Sequence, residues 1–173
     1  MSILVSISYG SSSVHSIPSN LSTTKHSFGP LIGVTLNESG NVDWLLSGNW
    51  RSILANDTNE NNTQFNQSTG VFRAAIEMIK PDGTARHTHA LTDFEVIKSG
   101  QDSNATTFNG TSTISMANGP AVDIPTSIQR SDDGNVFKIM IDPKSVDYHF
   151  GNWSIMYGIS TNHEILKQSY PEG

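Results

Sequence analysis

Apolar and polar residues alternate along most of this chain in short runs, and turn-forming residues separate the runs. Alternation over four to eight residues marks a half-buried β-strand, because successive side chains point to opposite faces. Val122, Ile124, Thr126 and Ile128 alternate with polar neighbours, and Phe108, Ile114 and Met116 share one phase of 106–116. Further strands are predicted at 31–36, 42–46, 50–54, 71–79, 136–141, 148–151 and 155–160, with one more at 3–9. Turn chemistry lies between them at 37–41, Ser47-Gly48-Asn49, Pro81-Asp82-Gly83, Asn118-Gly119-Pro120 and 131–135. The run 71–79 also has helical features, but its run–turn–run setting around Pro81 favours a hairpin. The segment 84–98 is long for one strand, and its apolar phase changes between Ala90 and Leu91, which predicts a bulge or bend. Pro125 argues for an edge strand or a bulge in its own run.

These elements predict an all-β protein: a single β-sandwich, or a flattened barrel, of nine to eleven short and mostly antiparallel strands. Residues 1–30 are Ser-rich and read as a leader, either a truncated secretory signal or a strand exchanged between subunits. The β domain is expected over 31–161, and 162–173 reads as a C-terminal tail. No apolar run approaches the ~20 residues that would span a bilayer as a helix.

Within this pattern the segment Arg86-His-Thr-His-Ala90 stands out. On a strand, His87 and His89 project from one face, which makes half of a metal site. The chain has no cysteine, so a third ligand must be His, Asp, Glu or a backbone oxygen. That excludes thiolate zinc sites and blue-copper centres. Of the other four histidines, His15 and His26 lie in the Ser-rich segment and His163 near the C-terminus. His149, between Tyr148 and Phe150 and just before Gly151, is the best third ligand. Three imidazoles leave an open position, as catalytic metal sites do. Zinc would there activate a bound water for hydration or hydrolysis, and copper would add redox chemistry. Asp93, Glu95 and Asp147 are candidates to orient the imidazoles from behind. If the site exists, the ligand nitrogens should converge within ~4 Å of one another, given ~2.0–2.1 Å to a shared ion. The incidental reading is two polar side chains in water and a histidine held by backbone.

Charge and composition narrow the setting. Charged residues are 15% of the chain and hydrophobic ones 35%, so its polarity comes mainly from Ser, Thr, Asn and Gly. A formal charge of -6 and a pI near 5.4 argue against nucleic acid as a partner. Asn-x-Ser/Thr triplets begin at Asn20, Asn37, Asn56, Asn61, Asn66, Asn104, Asn109 and Asn152. With no cysteine, they point to a glycosylated archaeal surface protein rather than a disulfide-bonded secreted domain.

The run from Asn109 to Ile128, then Val136-Phe-Lys-Ile-Met-Ile-Asp-Pro143 and His149-Phe-Gly151, resembles small extracytoplasmic β-sandwich proteins of ammonia-oxidising archaea (Thaumarchaeota). The likeness covers roughly 45–160. It implies lineage and location rather than a reaction, and it maps the recurring histidines onto His87, His89 and His149. One departure is the stretch after Gly151, Asn-Trp-Ser-Ile-Met-Tyr-Gly158, which lacks the proline associated with that motif. The expectation is therefore a secreted or cell-surface protein with a three-histidine zinc or copper site. Its partners would be a metal ion or small molecule, with homo-oligomers allowed. The rivals are an extracytoplasmic copper carrier and a pilin-like structural subunit with incidental histidines.

Overall fold

A computed structural model describes residues 26–54, 70–152 and 154–161. Eight antiparallel strands follow one another around a closed barrel in sequence order. They are β1 (His26–Leu36), β2 (Val42–Leu54), β3 (Gly70–Ile79), β4 (His87–Gln101), β5 (Ala105–Ile114), β6 (Ala121–Ser131), β7 (Val136–Ile141) and β8 (Ile155–Ile159). A 3-10 turn, Lys144–Val146, lies between β7 and β8. Closure comes from β1 against β8, with Leu31 opposite Gly158, Ile32 opposite Tyr157 and Gly33 opposite Met156.

The all-β expectation holds; of its two forms the structure takes the barrel and not the sandwich, with eight strands among the described residues instead of nine to eleven. Two local differences account for the described part of the count. The runs 42–46 and 50–54 are one strand, because Ser47-Gly48-Asn49 continues the ladder and pairs with β1 and β3 on its two sides. Gly48 is there for close approach and not for a turn: a Cβ on it would lie 1.9 Å from the Ala75 carbonyl oxygen. The run 148–151 forms a turn instead of a strand. The run 3–9 and the tail from 162 lie outside the described residues, while β1 begins at His26, within the segment read as leader.

The bulge expected in the long fourth strand falls at Thr92–Asp93, where the pairing with β5 shifts register and Asp93 has φ 52°. It returns Phe94 to the interior one place out of phase with strict alternation from Leu91. Pro125 pairs with Thr111 of β5, while the β7 ladder begins only at Thr126. The missing N–H thus falls just past the end of β7, and the Pro125 carbonyl accepts from the Asp142 N–H.

An eight-stranded barrel has an interior just wide enough for side chains to fill. Here Trp50, Phe72, Phe108, Phe137, Ile139 and Met156 are among those that fill it. Outside, β1 and β8 carry exposed Ile32, Val34, Leu36, Tyr157 and Ile159. Four connections, 37–41, 80–86, 115–120 and 142–154, gather at one mouth. No helix among the described residues is long and apolar enough to cross a membrane.

Candidate metal centre

The first residues of β4 alternate as the barrel requires: His89 and Leu91 are buried, Thr88 and Ala90 exposed, and His87 half-buried. His87 and His89 therefore face inward at the mouth, above the apolar core. His149 comes from the 142–154 connection, whose path is set residue by residue. Asp147 (φ 48°) and Tyr148 (φ 57°) both take the left-handed conformation directly after the 3-10 turn. Tyr148 N–H then donates to the Pro143 carbonyl at 2.7 Å and His149 N–H to the Val146 carbonyl at 2.9 Å. Phe150, fully buried, anchors the far side and meets the His89 ring edge-on at 5.1 Å. Gly151 (φ 81°) leans on Thr35, which a Cβ would approach to 2.9 Å. Left-handed non-glycine residues cost about 1–2 kcal/mol each. Ala85, Asp147 and Tyr148 hold that conformation within two residues of a site histidine, and such strain collects at functional sites.

The structure brings the three predicted ligands together. His149 Nε2 lies 2.9 Å from His89 Nε2 and 3.1 Å from His87 Nε2. The ligand atoms of all three lie within 4.8 Å of one another, a wider spread than the ~4 Å expected but still close enough that they could hold a metal ion. Nitrogens ~2.0–2.1 Å from one ion at tetrahedral angles are about 3.3 Å apart, so two sides of the triangle are near that spacing.

The opposite ring nitrogens decide what the Nε2 atoms present. His87 Nδ1 faces the Ala85 carbonyl at 2.8 Å and His89 Nδ1 faces the Ser115 carbonyl at 2.6 Å. A carbonyl only accepts, so both Nδ1 atoms carry hydrogen, and in that tautomer each ring turns an Nε2 lone pair toward His149. These two backbone carbonyls take the orienting place expected of carboxylates. Asp93 and Glu95 are exposed beyond the inward face of β4, and Asp147 is exposed beside His149. Among the described residues no hydrogen bond or ion pair joins any of these carboxylates to an imidazole.

Trp44, half-buried on β2, meets the His87 ring edge-on at 5.0 Å. Lys80 Nζ sits 4.2 Å over the Trp44 ring and 2.6 Å from Asp43, which pins the indole against His87. Beside the histidines a cleft of about 760 Å³ opens between the 115–120 connection and the 3-10 turn.

Burial pushes His89 below the ordinary imidazole range; the Ser115 carbonyl opposes this and the charge of His87 adds to it. Burial also lowers His149, helped by His89 and then His87. Both rings are therefore neutral at neutral pH, the form a metal needs. The unfolded chain titrates these groups near 6.5 and the folded chain below that. As pH falls from 6.5 through the lower folded values, the unfolded state gains protons first and the metal-free protein loses stability. The denaturation midpoint should drop between pH 7 and 5.5, and drop less in His149→Ala; a wild-type midpoint that rose on acidification would contradict this.

Comparisons of the chain with known protein families, with curated proteins and with solved structures found no match.

Proposed function

We propose that the protein is an extracytoplasmic metal-binding protein that holds one zinc or copper ion through the Nε2 atoms of His87, His89 and His149 and leaves a coordination position open to the neighbouring cleft. One observation carries the reading. Two imidazoles, each fixed by a carbonyl behind it, aim lone pairs at the same third ring nitrogen, at 2.9 and 3.1 Å. A single N–H on His149 satisfies one of those lone pairs well; a cation shared by all three nitrogens satisfies all of them.

Three imidazoles without thiolate suit zinc and copper alike. Zinc supplies Lewis acidity and lowers the pKa of a coordinated water, while copper adds electron transfer. The cleft favours access by a small molecule over a closed structural site, so hydration or hydrolysis is the enzyme form of this reading. Delivery of copper is the form without catalysis. Closure of the barrel through β1 and β8 takes up much of the edge that a strand-exchanging, pilin-like subunit would offer. Location outside the cytoplasm is supported by the likeness to archaeal extracytoplasmic proteins and by exposed acceptor asparagines at Asn37, Asn104 and Asn152.

Titration of tag-free protein with zinc and with copper, against a competing chelator, tests the reading. One ion per chain should bind, and copper should quench Trp44 fluorescence, since that ring touches His87. Failure to retain either ion at one per chain would overturn it.

A further inference from the structure

The cleft beside the histidines has a lopsided charge. Among the described residues, no lysine or arginine lines it, and Asp147 is its one carboxylate. The nearby cations of the 80–86 connection are already matched, Lys80 with Asp43 and Arg86 with Glu77. Two of its hydroxyls are also committed: Ser115 Oγ accepts from the Ala90 N–H, and Ser145 Oγ donates to Asp142. The rest of the wall includes Met116, Pro120 and Val146, which offer apolar contact. At about 760 Å³ the space falls within the ~300–1,000 Å³ usual for small-molecule sites.

A phosphorylated or polycarboxylate ligand would find no side-chain cation here to replace its hydration, and a negative tail would meet Asp147. A tail without charge would find apolar wall, and an ammonium tail would find a carboxylate. We infer that the cleft takes a small molecule whose metal-binding head faces the three histidines and whose tail is neutral or bears an amine, with Asp147 setting the preference for positive charge. This rests on the metal reading above.

Asp147 has a competing explanation, since aspartate tolerates the left-handed φ of 48° that the turn needs there. Asparagine tolerates it equally, so Asp147→Asn removes the charge and keeps the backbone preference. The probes are three hydroxamates with the same two-carbon spacer: butyrohydroxamate with a methyl tail, β-alanine hydroxamate with an ammonium tail, and succinate monohydroxamate with a carboxylate tail. Binding is measured calorimetrically on metal-loaded protein, after metal analysis, and counted per bound ion.

The ammonium probe should bind about two- to fivefold tighter than the neutral one, as a solvent-screened ion pair allows, and the carboxylate probe weakest. In Asp147→Asn the ammonium-to-neutral ratio should fall to near one. Tightest binding of the carboxylate probe, an unchanged ratio in the variant, or no hydroxamate binding to loaded protein would overturn the inference and leave the metal site standing. Absence of metal in the loaded sample would instead overturn both.

Discussion

Replacing His89 by alanine should lower the affinity for zinc or copper by at least about a hundredfold, more than is usual for losing an outer-shell partner alone. His89 is the most enclosed of the three histidines, 6% exposed, and its ring is gripped at both ends. Nδ1 is held by the Ser115 carbonyl at 2.6 Å and Nε2 lies 2.9 Å from His149. Its loss leaves two imidazoles and opens the site to water. It also leaves the Ser115 carbonyl without its ring partner, a cost of about 1–3 kcal/mol to the fold. His149→Ala separates the two effects, because among the described residues that half-buried ring bonds only to the other two imidazoles and sits on a connection outside the barrel wall. Chelator competition should show a comparable loss of affinity in both variants, with the larger fall in thermal stability confined to His89→Ala. Retention of wild-type affinity by either variant would remove that residue from the site.

The second large effect lies far from the histidines. Gly158→Ala should destabilise the barrel by about 3 kcal/mol or more, combining overpacking with a lost buried hydrogen bond. Gly158 lies on β8 opposite Leu31, at the seam that closes the barrel. A Cβ there would stand 2.3 Å from Trp50 Nε1 and 2.7 Å from its Cδ1. The indole has little room to retreat. It is 2% exposed, its ring centre lies 4.2 Å from that of Phe137, and Nε1 donates to the Pro30 carbonyl at 3.1 Å. Moving it strains the core and breaks the bond that ties β2 to β1. Gly100→Ala is the control, since a Cβ on Gly100 meets nothing within 4 Å and its φ is not left-handed. Thermal unfolding should show a fall of about 10 °C for Gly158→Ala and almost none for Gly100→Ala. Equal melting temperatures for the two variants would contradict the packing account.

What the sequence made legible and what it hid follow from the range of the signals. Alternation is local, so the inward phase of His87 and His89 could be read from β4 itself. Elimination made His149 the third candidate, because cysteine is absent and few other histidines remain. The left-handed pair Asp147–Tyr148 that delivers it has no such plain signature. The orienting groups were hidden for a physical reason. They are the carbonyls of Ala85 and Ser115, and every residue has a carbonyl, so residue type carries no trace of them. Carboxylates near the histidines were the visible candidates, but they face solvent.

Strand number was obscured by glycine's double use. In Ser47-Gly48-Asn49 it suggests a turn, yet Gly48 sits mid-strand because the Ala75 carbonyl crowds its Cβ position. Closure was beyond local pattern as well, since β1 and β8 meet across more than a hundred residues of chain. Nor does anything local in the sequence show that Trp44 meets the His87 ring edge-on.

X-ray absorption at the metal edge of tag-free, metal-loaded protein tests the central claim most directly. The account predicts one ion per chain with three imidazole nitrogens at about 2.0–2.1 Å, and loss of one imidazole in His149→Ala. A bound ion whose shell held fewer than three imidazoles, or was unchanged by that substitution, would contradict it.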